Sequence, residues 1–282
     1  MNSKELERTI RHILVALDGS PHSLAALEAA ADMAAYLNAG LSGIFIEDIN
    51  LLNLADLSFI KQVDTFSASL RPIDRQHISR QFRMQAIRAR NALEQVADRT
   101  HIQWSFRVIR GHVTAEIMAA ASEADIVILG KAGWSPTREK RLGTTAQKIL
   151  SEAPCLTMVL QHGIRLELRL MVLFDKSGDA QKALGVAAQL LQGKAGQLTV
   201  LLSVEEEAAL QETHAQIDTF LQEYDLQAHY YTLTDINAQK LASLVDREKI
   251  GVLLLPGSSR LLKEESLQAL LRQAECPVLI VR

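Results

Sequence analysis

The sequence predicts an α/β protein in which two tandem domains each contain a parallel sheet. Short continuous apolar runs bounded by turn residues, such as 13–17, indicate strands that are buried on both faces. Segments with apolar residues at helical spacing, such as 24–37, separate these runs, and this alternation is typical of parallel sheets. The same order of strands and helices occurs twice within the 282 residues, which indicates a tandem repeat.

The first half opens with a strand whose end carries a helix-start signal. Ser20 is a favourable N-cap residue, and Pro21 suits the first helical position. Further strands are predicted at 41–46, 104–109, 126–130 and 156–160, with helices at 24–37, 73–98, 115–121 and from residue 146. Five strands therefore fall between residues 13 and 160.

An apolar segment lengthens the first half between its second and third strands. We expect an extra helix over 51–63 that packs on the body of the domain; the alternative is a flap over a ligand or a contact for a partner. Pro72 interrupts the segment before the next helix begins. The arginines around that next helix lack interleaved aromatic residues, so we interpret them as a solvated or interface surface rather than a nucleic-acid patch.

The second half repeats the first at an offset that changes along the chain. Residues 172–177 repeat 15–20 at an offset of 157, which falls to 126 at the fourth strand and 121 at the last. The first half therefore carries 31 extra residues, and the second half lacks 5 in the loop after its fourth strand. The later strands of the second half are predicted at 198–204, 229–233, 252–255 and 278–281. We divide the chain into domains 1–162 and 163–282.

A glycine-punctuated loop joins the fourth strand of the first half to its last helix. Gly130, Gly133, Gly143 and Thr144 have the spacing G-x2-G-x9-G-[S/T]. Glycine lets the backbone approach an anion closely, and a helix start offers unpaired N–H groups with a partial positive charge. The loop therefore indicates a phosphate site. The alternative is that the three glycines only end a strand, form a turn and precede a helix.

This spacing resembles the ATP-binding signature of the universal stress protein family, and the repeat extends the resemblance over nearly the whole chain. The resemblance implies two tandem Rossmann-like (flavodoxin-like) domains, each a five-stranded parallel sheet in order 3-2-1-4-5 flanked by helices. It places the ligand at the carboxyl ends of strands 1 and 4, where α/β sheets generally bind ligands. It also implies ATP as the ligand, and leaves open whether Mg²⁺ accompanies it.

The resemblance assigns a set of residues to the nucleotide. The early residues line the adenosine, those that end the fourth strand lie against the ribose, and the later ones flank the phosphates or donate to them. The set is Ala16, Leu17, Asp18, Ile46, Leu129, Gly130, Lys131, Gly133, Gly143, Thr144 and Thr145. For Asp18, a carboxylate that only supports a helix start is an equal alternative.

The sequence departs from the family pattern in both halves. Ala132 stands where many relatives place Arg or His, so one phosphate contact is absent. The second half keeps Gly257 but has no later Gly-Ser or Gly-Thr pair before its last helix. Glu264 and Glu265 add two carboxylates where a phosphate would sit. We therefore predict one nucleotide per chain, held by the first half.

Composition excludes several classes of protein. The net charge of −3 argues against a general nucleic-acid binder. Cys155 and Cys276 are the only cysteines, which excludes a disulfide scaffold and fits a reducing compartment. Residues 2–11 are too charged for a signal peptide, and no apolar run approaches the roughly 20 residues that cross a bilayer. We expect a soluble, cytoplasmic protein with no membrane partner.

Three functions remain open at this point. The first is a nucleotide-binding stress or regulatory protein in which ATP is a bound signal. The second is a slow ATP hydrolase or phosphotransferase, although the motif contains no obvious base or water-orienting group for phosphoryl transfer. The third is an interaction module that has lost its ligand in both halves.

The implied strand order leaves the last strand of each half at a sheet edge. Segments 156–160 and 278–281 are short, apolar and without internal charge, so they invite pairing with another strand. We predict that they pair antiparallel within the chain as a pseudo-dimer, with Cys155 and Cys276 near opposite ends of the seam. A homodimer of the full chain also remains open.

Overall fold

The computed structural model describes residues 10–56, 61–63, 70–72, 75–131, 142–160, 166–203, 207–233, 236–259 and 264–282. The strands are β1 (His12–Ala16), β2 (Gly40–Asp48), β3 (Lys61–Val63), β4 (Leu70–Pro72), β5 (Trp104–Gly111), β6 (Ile126–Gly130), β7 (Leu156–Leu160), β8 (Arg169–Phe174), β9 (Gln197–Ser203), β10 (Ala228–Leu233), β11 (Val252–Pro256) and β12 (Val278–Val281). The helices are α1 (Pro21–Leu37), α2 (Ile49–Ala55), α3 (Arg75–Thr100), α4 (Val113–Ala121), α5 (Thr144–Glu152), α6 (Gly178–Leu191), α7 (Glu207–Gln222), α8 (Ala238–Arg247) and α9 (Glu264–Gln273).

A single ten-stranded sheet runs through the described part of the chain in the order β10-β9-β8-β11-β12-β7-β6-β1-β2-β5. Within each half the five strands are parallel. The predicted order 3-2-1-4-5 is therefore confirmed in both halves. Because the strand order reverses between β1 and β6, a crevice opens at their carboxyl ends.

The two halves are joined through their last strands. β7 and β12 pair antiparallel, with Val159 opposite Val278 and Thr157 opposite Ile280, so the predicted pairing is confirmed. Cys155 and Cys276 precede the paired segments at opposite ends of the seam, and both thiols are buried and outside any disulfide. On each face of the sheet, buried side chains from both halves form one apolar cluster.

The same helix-start signal operates in both halves. The Ser20 hydroxyl accepts a hydrogen bond from the Ser23 N–H at 3.2 Å at the start of α1. The Ser177 hydroxyl accepts from the Ala180 N–H at 3.1 Å at the start of α6. These caps satisfy N–H groups that have no partner inside the helix, and they fix where the chain turns after the first strand of each half.

The prediction of one helix over 51–63 is wrong beyond residue 55. Helix α2 ends at Ala55, and β3 pairs antiparallel with β4 in a separate two-stranded ladder. The carboxylate of Asp56, directly after α2, accepts from the guanidinium of Arg75 at the start of α3. The apolar composition of the segment carried no signal for this stop. The domain division at 162/163 stays a prediction, because residues 161–165 lie outside the described part.

Candidate functional site

A cavity of about 380 Å³ lies at the carboxyl ends of β1 and β6 in the first half. Ten of the eleven residues predicted from the sequence line it: Ala16, Leu17, Asp18, Ile46, Leu129, Gly130, Lys131, Gly143, Thr144 and Thr145. The eleventh, Gly133, lies outside the described residues. The strand order thus brings together segments that are about 130 residues apart in the sequence.

Several lining residues were not predicted from the sequence. They are Ser23, Ile44, Asp48, Leu51, Val113, Ile117 and Ala146. Ile44 precedes the predicted Ile46 by two residues in β2, so the strand period of two could have found it. Val113 and Ile117 are four residues apart on α4, which is the spacing of one helix face. Leu51 begins the 51–63 segment, for which the sequence had left open a flap over a ligand, but it was not among the predicted site residues.

Part of the cavity lining is apolar. Ile44 and Ile46 from β2, Val113 and Ile117 from α4, and Leu129 from β6 contribute to it. Ile44, Ile117 and Leu129 are buried, whereas Ile46 and Val113 are partly exposed toward the cavity. Sites for small molecules are usually of this type, with apolar walls and a few polar groups that fix orientation.

The start of α5 forms a polar part of the lining. Gly143 is the N-cap residue, and as a glycine it has no side chain with which to cap the helix. The N–H groups of Thr144, Thr145 and Ala146 therefore belong to a first turn that lacks intrahelical acceptors. The Thr145 hydroxyl lies 3.5 Å from that of Thr114. This helix start offers an anion several donors and the positive end of the helix dipole.

Two donors that were predicted to contact phosphate donate to backbone carbonyls in this structure. The Gly143 N–H, expected to donate to a phosphate, donates at 2.9 Å to the carbonyl oxygen of Lys131. The ammonium of Lys131, expected to flank the phosphates, donates to the carbonyl oxygen of Leu271 in α9 of the other half. Lys131 is only 3% exposed, and burial, followed by the nearby Arg272 charge, lowers its pKa. No local pattern in the sequence predicts this cross-half contact.

Asp18 lines the cavity and also supports the turn that precedes α1. Its Oδ1 accepts from the Ser20 N–H at 2.8 Å. In the second half, Oδ1 of Asp175 accepts from the Ser177 N–H at 3.1 Å in the same way. The turn-forming role is therefore common to both halves, and a contact to a ligand could only be additional in the first.

Gly130 is required by packing as well as by any ligand. A Cβ built at this position would lie 2.7 Å from the carbonyl carbon of His22, in the first turn of α1. Such an approach is closer than real Cβ atoms show, so α1 would have to move away from β6. Glycine at this position keeps the first turn of α1 against the floor of the cavity.

Comparison with known proteins decides the family. The model of the universal stress protein family matches residues 9–161, which include the cavity and every strand of the first half. The chain belongs to the universal stress protein family. A search of curated proteins found no significant match.

Two solved structures share the fold of this universal stress protein across both halves. A universal stress protein from Archaeoglobus fulgidus has a TM-score of 0.74 at 16% identity, with 96% of this chain and 98% of that chain covered. A functionally unknown protein from Pseudomonas aeruginosa has a TM-score of 0.61 at 14% identity, with 99% of this chain and 94% of that chain covered. The arrangement of two joined halves therefore occurs in other proteins.

The second half of this universal stress protein fills the corresponding place with its own side chains. Oδ2 of Asp179 accepts from the Ser258 N–H at 3.1 Å, directly after the fourth strand of that half. A Cβ at Gly257 would collide with the side chain of Arg282. Helix α9 begins at Glu264, and the carboxylate of Glu265 in its first turn interacts favourably with the positive end of the helix dipole.

The described part of the chain contains neither a metal-binding cluster nor a membrane-spanning helix. No group of three or more His, Cys, Asp or Glu side chains in this part of the chain is arranged to hold a metal ion. None of the described helices is both long enough and apolar enough to span a bilayer.

Proposed function

We propose that the first half binds one molecule of ATP in the cavity, and that the bound nucleotide acts as a signal in a stress response. The observation that carries this proposal is the pairing of an apolar recess with the uncapped start of α5 in one cavity. The recess suits a flat, apolar base, and the helix start suits an anion. Family membership supports the choice of a nucleotide.

The proposed binding mode follows from the apolar part of the cavity lining and from the start of α5. The adenine lies between Ile46 of β2 and Ile117 of α4, and the ribose lies against Leu129. The phosphates accept hydrogen bonds from the N–H groups and hydroxyls of Thr144 and Thr145. If Mg²⁺ accompanies ATP, the hydroxyls of Thr144 and Thr145 would serve as its protein ligands, beside phosphate oxygens and water.

The groups that line the cavity favour binding over phosphoryl transfer. Transfer needs a base or water-orienting group, metal ligands and a cationic clamp. The Asp18 and Asp48 carboxylates both support local turns, since Oδ1 of Asp48 accepts from the Asn50 N–H at 2.9 Å. The Lys131 ammonium contacts Leu271 rather than the centre of the cavity. We therefore place slow hydrolysis second, and a ligand-free interaction module third.

Calorimetric titration of the full chain with ATP tests the proposal, alongside mass spectrometry of the purified protein for a retained nucleotide. Thr144→Glu is the sharpest variant, because Thr144 is exposed and a carboxylate in the first turn stabilises the helix while it repels phosphate. Thr144→Gln is the uncharged control of similar size. Binding that is equally tight in wild type and both variants would reject the site. A phosphate-release assay under steady-state conditions then distinguishes a protein that only binds ATP as a signal from one that hydrolyses it slowly.

A further inference from the structure

Lys131 connects the cavity of the first half to the last helix of the second. Its backbone N–H donates to the Leu160 carbonyl at 2.6 Å, and its own carbonyl accepts from the Gly143 N–H at 2.9 Å. Its ammonium donates to the carbonyl oxygen of Leu271. One residue therefore contacts the end of β7, the start of α5 and the last turn of α9.

The contact at Leu271 stabilises the end of α9. The last four carbonyls of a helix have no partner within it, and Leu271 is the third residue from the end of this one. A cation at this position satisfies a free carbonyl and interacts favourably with the negative end of the helix dipole. Because Lys131 is buried, an ammonium left without an acceptor would be costly, so its partner cannot be removed without replacement.

Two bonds made by Lys131, a residue of the cavity lining, involve donors that were expected to contact phosphate. The Gly143 N–H and the Lys131 ammonium are the kinds of donor that bind phosphate, and each now donates to a neutral carbonyl. Hydrogen bonds to an ionised acceptor are shorter and roughly twice as strong as those to a neutral one. A phosphate at the start of α5 therefore competes with the Leu271 carbonyl for the same cation.

We propose that a nucleotide in the cavity draws Lys131 away from Leu271 and thereby loosens the last turn of α9. The second half then reports whether the first half is occupied, although it holds no nucleotide of its own. This inference rests on the proposed function, because it requires an anion at the start of α5.

A contact in the opposite direction, from a cation of the second half to a helix end of the first half, supplies a matched control. The Arg282 guanidinium donates to the carbonyl oxygen of Leu150, and also to that of Ala153 at 3.4 Å, at the end of α5. This contact also joins the halves through a cation and a helix C-terminus, but Arg282 is not among the residues that line the cavity. Arg282→Met therefore cuts a cross-half contact of the same kind without touching the route through Lys131.

Hydrogen–deuterium exchange of the full chain with and without saturating ATP tests the proposal. In wild type, ATP should slow exchange at the start of α5 and speed exchange in the last turn of α9 by about tenfold, within the usual range of coupling between sites. In Lys131→Met, that turn should exchange fast from the outset and should not respond to ATP. Lys131→Arg, which keeps a cation, and Arg282→Met should both retain the response.

The outcomes separate this inference from the proposed function. If calorimetry detects no ATP binding to wild type, the proposed function and this inference both fall. If ATP binds and exchange in α9 is unchanged, the inference alone is overturned. A response in Lys131→Met equal to that of wild type also overturns it, because the signal then does not pass through this ammonium.

Discussion

Oδ2 of Asp179 lies 3.1 Å from the backbone nitrogen of Ser258 and accepts its hydrogen bond. The carboxylate thereby takes an amide in the loop that corresponds to the glycine loop of the first half. An anion of the chain itself already occupies this position, and a phosphate would be repelled by it. We therefore expect calorimetry to give one ATP per chain. Two equivalent sites, or residual tight binding in Thr144→Glu, would contradict this asymmetry.

Ligand binding should raise the thermal stability of the chain. ATP at 100 times its dissociation constant stabilises a protein that binds it only when folded by about 2.7 kcal/mol. Thr144→Glu should weaken binding by at least about tenfold, or roughly 1.4 kcal/mol, and reduce the shift accordingly. Differential scanning fluorimetry with the Thr144→Gln control measures both effects. Equal shifts in the two variants would show that charge at the start of α5 does not matter.

Arg282 should contribute to stability through the far end of α5. Its guanidinium is partly buried against the Leu150 and Ala153 carbonyls, and burial lowers its pKa. Arg282→Met should cost about 1–2 kcal/mol in the free energy of unfolding, because charged hydrogen bonds to helix carbonyls are lost. Urea denaturation measures this. Arg107→Met is the control: its pair with Glu123 is exposed and 3.5 Å long, so its loss should cost less than about 0.5 kcal/mol.

The buried thiols should be inert in the folded protein. Burial raises the pKa of Cys276 to about 12 from 9.0, so the folded state holds its proton where the unfolded state releases it. Between these values the unfolded state binds fewer protons, and stability should therefore fall as pH rises above about 9. Alkylation assays should find both cysteines unreactive until the protein is denatured. Rapid labelling of Cys276 in the native protein at neutral pH would contradict its burial in the seam.

The isolated first half, residues 1–165, should self-associate. Removing the second half leaves β7 as an unpaired apolar edge strand, and such edges pair with other chains. Light scattering at tens of micromolar should find dimers or larger species of this fragment, formed through the same antiparallel pairing. A clean monomer that retains native circular dichroism would show that β7 is protected in another way.

Much of the fold followed from local patterns. Apolar runs located the strands, Ser20 and Ser177 located two helix starts, and the strand order of the family put β7 and β12 at facing edges. Site residues could be predicted where they lie near strand ends or helix starts, as Ile46 and Thr144 do.

The contacts that could not be predicted depend on approaches between distant segments. The Lys131 ammonium meets the carbonyl of Leu271, which is 140 positions away, because the antiparallel pairing of β7 and β12 brings the two halves together. The Gly143 N–H donates to the Lys131 carbonyl, and no local pattern in the sequence links these two groups. Helix α2 ends at Ala55, next to an ion pair between Asp56 and Arg75, and the apolar composition of the segment indicated neither feature.

The seam between β7 and β12 gives the second half a structural role, which is to cover the edge strand of the first half. Because it is covalently attached, it covers the edge of the first half at any protein concentration, whereas a separate subunit would dissociate on dilution. The second half therefore serves as a permanent partner subunit. Loss of its own nucleotide loop then carries little penalty, since its sheet still completes the fold that holds the cavity in shape.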